Sequence, residues 1–194
     1  MFEKKITKQE INELPLFKYE GKTIIAANEQ QIDKAIFEIE KYDLVGFDTE
    51  TKPTFKKGEF NHVALVQIAI PGKVYLLRIH QTGITNTFKR FLSNEKIMKI
   101  GIALDDDIIA LNKKRRFEAN GFKDLNQIAP TLGIENIGAR NLTALLLKNR
   151  ISKNQQVSNW ENPALTTPQI KYAATDAWIC LEMYNKLNHW GYLD

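Results

Sequence analysis

The chain of 194 residues has one cysteine, Cys180, and three histidines. A lone cysteine excludes a disulfide framework and a cysteine-rich zinc site, and it fits a reducing compartment. His62, His80 and His189 are scattered, so no Ser/His/Asp or Cys/His grouping and no glycine-rich phosphate loop suggests itself. No run approaches the ~18 apolar residues that a membrane span requires. The start, Met1-Phe2-Glu3-Lys4-Lys5, has no apolar leader segment. The expectation is a cytoplasmic protein without a membrane partner. Repeats, low-complexity tracts and convincing linkers are also missing. What remains is a globular composition, 43% hydrophobic and 26% charged, long enough to bury a core, and a single domain over 1–194 is expected. The net charge of +4 suits a polyanionic partner, and equally suits solubility alone.

The pattern predicts an α/β fold with a mixed β-sheet flanked by helices. Strands are expected over 22–27, 63–70, 73–79 and 96–102, and Pro71-Gly72 makes the middle pair an antiparallel hairpin. Helices are expected over 8–14, 29–40, 85–92, within 121–132, over 141–147 and over 167–188. A polar, lysine-bearing loop is expected over 51–58, and a second polar stretch over 150–163.

One further strand, Val45-Gly46-Phe47-Asp48-Thr49-Glu50, ends in two carboxylates one residue apart. Side chains alternate along a strand, so Asp48 and Glu50 point the same way. Both stay ionised together only if a cation sits between them or water solvates them fully. The plain alternative is an acidic strand end entering a solvated loop.

Other acids arrive elsewhere. In Leu104-Asp105-Asp106-Asp107-Ile108, Asp105 and Asp106 suit an N-cap and first helical turn. Asp107 instead falls in the apolar stripe of Leu104, Ile108 and Leu111. On the last helix Tyr172 and Asp176 share a face with Cys180, Met183 and Leu187, which fits a buried structural hydrogen bond as well as a functional pair. The basic run Lys113-Lys114-Arg115-Arg116 reads as a solvated helix end or as a phosphate-facing patch. Trp160 reads first as a core anchor and second as a base-stacking platform.

Four inward acids with no matching inward cations call for hard divalent ions, and an all-oxygen set points to magnesium or manganese. Two such ions together can activate a water and offset charge on a leaving 3′-oxygen in phosphoryl displacement. Tyr172, with an ordinary pKa near 10, would orient that water and not deprotonate it.

The ordered set Asp48-x-Glu50, Asp107 and Tyr172-Ala-Ala-Thr-Asp176 resembles the DEDDy 3′-to-5′ exonucleases, in particular the ribonuclease D and Werner-syndrome exonuclease group. The likeness spans roughly 22–187 and includes the tract from Ile151 through Trp160, which looks like the loop of bacterial stand-alone members. It implies a ribonuclease H-like fold, two metal ions held by Asp48, Glu50, Asp107 and Asp176, and Tyr172 placing the attacking water. Thr49, Thr51, Lys153 and Trp160 are the implied nucleic-acid contacts. Thr51 stands where several relatives carry a large apolar or aromatic residue, which implies different stacking of the terminal base. The expected partners are single-stranded or recessed 3′ ends of DNA or RNA. A catalytically silent nucleic-acid-binding module and a ribonuclease H-like endonuclease are the alternatives.

Overall fold

Val63 to Ile70 is buried along its whole length, as befits a strand covered on both faces. In the computed structural model, which describes residues 3–54, 58 and 60–193, it is an inner strand of a six-stranded sheet. Met1, Phe2 and, within the expected polar loop, Phe55, Lys56 and Lys57 lie outside the described residues. The strands are β1 (Lys22–Ala26), β2 (Leu44–Thr51), β3 (Val63–Ile70), β4 (Lys73–Leu77), β5 (Met98–Gly101) and β6 (Phe122–Asp124), in the order β1-β4-β3-β2-β5-β6. β2, β3 and β4 form an antiparallel meander, while β1, β5 and β6 join it in parallel. The sheet is mixed, as the sequence pattern implied.

The helices are α1 (Lys8–Glu13), α2 (Glu29–Ile39), α3 (Ile79–Thr82), α4 (Asn86–Leu92), α5 (Leu104–Lys114), α6 (Leu125–Thr131), α7 (Ala139–Leu142) and α8 (Thr167–His189). Helices α2, α4 and α5 cover one face, where Ile32, Ile36, Phe88, Phe91 and Leu111 pack on Val45, Phe47, Val66 and Ile68. Helix α8 covers the other face through Ala173, Ala174, Ala177 and Leu181, which pack on Leu65, Ala69 and Leu76. The acidic strand β2 thus lies inside the sheet, between two cores.

The structure departs from the sequence expectations in four places. Residues 121–132 hold a three-residue strand before their helix, too short to show a periodicity. The helix expected over 141–147 is α7 running into a π-helical turn, Thr143–Leu147. The strand expected over 73–79 stops at Leu77, and α3 follows. Finally, neither Asp105 nor Asp106 caps α5. Its N-cap is Ala103, in the left-handed conformation at φ 58°, with no side-chain cap of its own. Asp124 serves instead, its two carboxylate oxygens accepting from the Ala103 and Leu104 N–H groups at 3.1 and 3.0 Å. One of those oxygens also caps α6 through Asn126 N–H at 2.7 Å.

The depth at which α8 sits on the sheet depends on Gly46. A Cβ at this position would lie 2.0 Å from the carbonyl oxygen of Ala177, and the residue opposite Gly46 on β3 is Ala69. Small residues here let helix backbone rest nearly on strand backbone. Gly46→Ala therefore pushes α8 outward, and overpacking of this kind costs about 1–3 kcal/mol or more. Urea denaturation should show that loss, and any activity that needs Asp176 beside Asp48 should fall with it.

Candidate active site

Strand β2 outruns one of its neighbours. It pairs with β5 only at Leu44, Val45 and Gly46, but with β3 as far as Thr51. Beyond Gly46 its free side opens onto the space left where the chain turns from β5 into α5. Crevices at the carboxyl ends of parallel strands are where α/β sheets bind ligands. Asp48 and Glu50 stand there, and the pairing with β3 is irregular between Glu50 and Thr51, which bends the strand just past the second acid.

Helix α8 brings the third carboxylate. Its start is fixed by a capping box between Thr166 and Gln169, with Pro168 in the first turn. The loop leading to it is held by Arg78, whose guanidinium donates to the Asn162 and Pro163 carbonyls. With the helix seated over Gly46, one oxygen each of Asp48, Glu50 and Asp176 lie within 4.8 Å of one another. All three side chains are half-buried.

Asp107 stands beside this trio and not within it. Its Oδ1 accepts from the Thr49 hydroxyl at 2.6 Å, and its charge still reaches Asp48 and Glu50. The left-handed turn at Ala103 and the Asp124 cap aim the first turn of α5, and hence Asp107, back toward β2.

Burial and mutual repulsion set the protonation of these groups. Burial chiefly, then the charges of Asp176, Glu50 and Asp107, hold the Asp48 carboxyl well above the usual range. Burial, Asp176 and Asp107 push Glu50 up to about 9. Burial raises Asp176 to about 7 against the Tyr172 hydrogen bond and the Lys153 charge, which act the other way. Asp107 rises to about 6, again from burial, opposed by Thr49. Burial and the neighbouring Asp176, Glu50 and Asp48 drive the Tyr172 phenol far upward. Tyr172 therefore stays protonated, a hydrogen-bond donor and not a base.

Such a set fits divalent metal. Among the described residues Lys153 is the cation that acts on Asp176, and it is exposed. Three crowded oxygens without an inward counter-charge are suited to a hard cation bound through oxygen.

The remaining expected contacts fall out unevenly. Lys153 stands near Asp176, as described. The Thr49 hydroxyl is committed to Asp107. Thr51 sits half-buried at the β2 irregularity. Trp160 is 0% exposed and packs against Tyr172 with ring centroids 6.0 Å apart, so it has no face to offer a base. It is the core anchor that the sequence put first, and the base contact implied there by the resemblance is corrected. Two roles escaped the sequence reading: that of Asp124 in capping α5, and that of Gln67, fully buried across the strand pair from Asp48. A polar residue within the otherwise apolar run 63–70 was the one available signal for Gln67.

Comparison with known proteins gives this geometry a lineage. A family model described as a 3′-5′ exonuclease matches residues 23–190. The mouse bifunctional 3′-5′ exonuclease/ATP-dependent helicase WRN is 32% identical over 158 residues, covering 77% of this chain and 11% of that protein. A 3′-5′ exonuclease of Arabidopsis thaliana is 26% identical over 189 residues, covering 89% of this chain and 66% of its own length. The chain thus spans less than two thirds of either relative. Among solved structures, the exonuclease domain of Aedes aegypti Nibbler superposes with a TM-score of 0.80 at 21% identity, covering 89% of this chain and 93% of that one. With a matching model over most of its length, the chain belongs to the 3′-5′ exonuclease family.

Proposed function

We propose that this protein removes nucleoside monophosphates from the 3′ end of a DNA or RNA strand by hydrolysis assisted by two divalent ions, Mg2+ or Mn2+. The observation that carries the reading is the convergence of Asp48, Glu50 and Asp176 within 4.8 Å, with Asp107 alongside. Asp48, Glu50, Asp107 and Asp176 would hold the ions. When bound, such ions supply the Lewis acidity that makes a water nucleophilic and offsets charge on the leaving 3′-oxygen.

The chain's own groups do the positioning. Tyr172, pinned by Trp160 behind it, presents a hydroxyl that remains protonated at every working pH, so it orients the attacking water through a hydrogen bond. The exposed ammonium of Lys153 can pair with a substrate phosphate near Asp176. A cleft of about 340 Å³ opens beside the acids, lined in part by Phe17, Ser152, Gln155, Pro168, Tyr172 and Asp176. Its size is that of a small-ligand site, and a nucleotide flanking the scissile bond would lie there.

The test is an incubation with 5′-labelled single strands of DNA and of RNA, with Mg2+ or Mn2+ and with chelator. Ladders that shrink from the 3′ end, and only with metal, are expected on at least one strand type. Binding without shortening under any metal would instead make the chain a silent binding module, and cleavage of circular strands an endonuclease. Asp48→Asn and Asp107→Asn should lower the rate by more than the roughly 10- to 100-fold that losing a ligand's supporting hydrogen bond costs. Asp106→Asn, on an exposed position, should leave it unchanged.

The crowded acids also fix a pH dependence for the metal-free protein. Carboxyls whose pKa is higher folded than unfolded bind more protons in the folded state, so stability is greatest below the unfolded values near 4 and is lost as pH rises. The loss from Asp107, Asp176 and Glu50 begins in each case near 4 and levels off near 6, 7 and 9 respectively. Melting in chelator from pH 4 to 9 should show a falling Tm beyond that of Asp48→Asn, and added Mn2+ should raise Tm more at pH 8 than at pH 5. A wild-type Tm that climbs through this window in step with the variant would contradict it.

A further inference from the structure

Gln67 lies on β3 with 0% exposure, yet neither its Oε1 nor its Nε2 has a hydrogen-bond partner among the described residues. A buried carboxamide left unpaired is costly, and its persistence calls for an explanation beyond packing. The strand register narrows what that explanation is. Gln67 faces Asp48 across the β2–β3 pair and Leu76 across the β3–β4 pair, with Leu65 and Ala69 on either side along its own face. Directly paired residues hold their Cβ atoms about 4.5–5.5 Å apart, a span that a glutamine side chain covers. Of these four neighbours only Asp48 is polar. Another unpaired group, in the same layer, is Trp160 Nε1, but an indole N–H only donates. It can serve Oε1 and never Nε2, whose hydrogens need an acceptor.

We propose that Gln67 is a positioning residue for Asp48: its Nε2 donates to the Asp48 carboxylate when that carboxylate holds a divalent cation, and so fixes which oxygen faces the ion. This rests on the metal-holding role proposed above. A carboxylate that ligates through one oxygen keeps lone pairs on the other, and an outer partner that fills them sets its orientation and its strength as a ligand. A neutral amide suits the place. A lysine would neutralise the ligand that the ion needs, a glutamate would add to the repulsion, and a leucine would leave the outer oxygen in apolar surroundings. The amide waits unpaired in the metal-free protein because the register, not a hydrogen bond, puts it there.

The experiment compares wild type with Gln67→Leu and Gln67→Met by three measurements: urea denaturation in chelator, calorimetric titration with Mn2+ alone, and kcat and KM on a labelled strand. In chelator the variants should be at least as stable as wild type, since an orphan amide is gone. Mn2+ affinity should fall roughly 10-fold or more, with kcat reduced and KM unchanged. Variants that bind Mn2+ as tightly as wild type overturn the inference. So do variants that unfold or lose stability in chelator, because Gln67 would then be satisfied within the metal-free fold. Should wild type itself bind no Mn2+, it is the proposed metal-dependent function that fails, so the two failures are told apart.

Discussion

Three carboxylates forced together out of bulk water are the constraint to which the rest of the molecule answers. With oxygens within 4.8 Å of one another, and with the effective dielectric typical of protein sites, each ionised pair repels by about 3.5 kcal/mol or more. No local structure would gather them unaided, since a free strand or helix would turn its acids to solvent. The apolar packing on both faces of β2 supplies the opposing free energy. Val45 and Phe47 anchor one side of the strand among α2, α4 and α5, and the alanine face of α8 clamps the other. The acids are thereby held where they repel, and the protein meets the strain by taking up protons or, under the proposed function, cations.

Placement of the site follows from strand lengths as much as from residue types. β5 ends at Gly101 and β2 continues to Thr51, so the end of β2 is flanked on one side by β3 and on the other by the turn into α5. That turn is made by a non-glycine residue in the left-handed region, Ala103, a conformation that costs free energy and tends to persist where the surroundings over-determine it. The surroundings here are the two Asp124 oxygens. A side chain at the end of the edge strand β6 thus governs the direction of a helix whose own sequence offers three aspartates, none of which does the capping.

Much of this was legible from residue order. The hairpin of β3 and β4 follows from Pro71-Gly72, and the main helices and the inward phase of Asp107 and Asp176 follow from periodicity, because each is a property of one segment or of two joined by a short turn. The features that were not legible belong to pairs of segments. β6 is three residues long and exists only because β5 lies beside it. The Asp124 cap joins residues some twenty positions apart. Trp160 read first as a core anchor, but its partner there, Tyr172, became evident only in the fold. Lys99 gave no sign of being 0% exposed, yet its ammonium donates to the carbonyls of Asn94, Ile97 and Asn120 at 2.7–2.9 Å. A lysine inside a strand pattern reads as a solvent-facing position until three carbonyls are found converging on it.

Several of the costly features gather in one region. The crowded acids, the Gln67 amide and the Trp160 indole N–H, both partnerless among the described residues, the left-handed Ala103 and the bare backbone contact at Gly46 all lie on β2, on its immediate neighbours, or on the segments that join them to α5 and α8. A second group of costs lies around the π-helical turn, where Thr143 Oγ1 lacks a partner among the described residues and Lys148 is left-handed, while the caps of α1, α2 and α4 are made by their own Thr7, Asn28 and Thr85. A sequence under selection for stability alone would have removed several of these faults at once, for example by an apolar residue at position 67 or an asparagine at position 48. That the first group sits together around one cluster of oxygens is what physical reasoning expects of a site kept for chemistry, where consistency between local and global structure is given up in one place and made good by the packing around it.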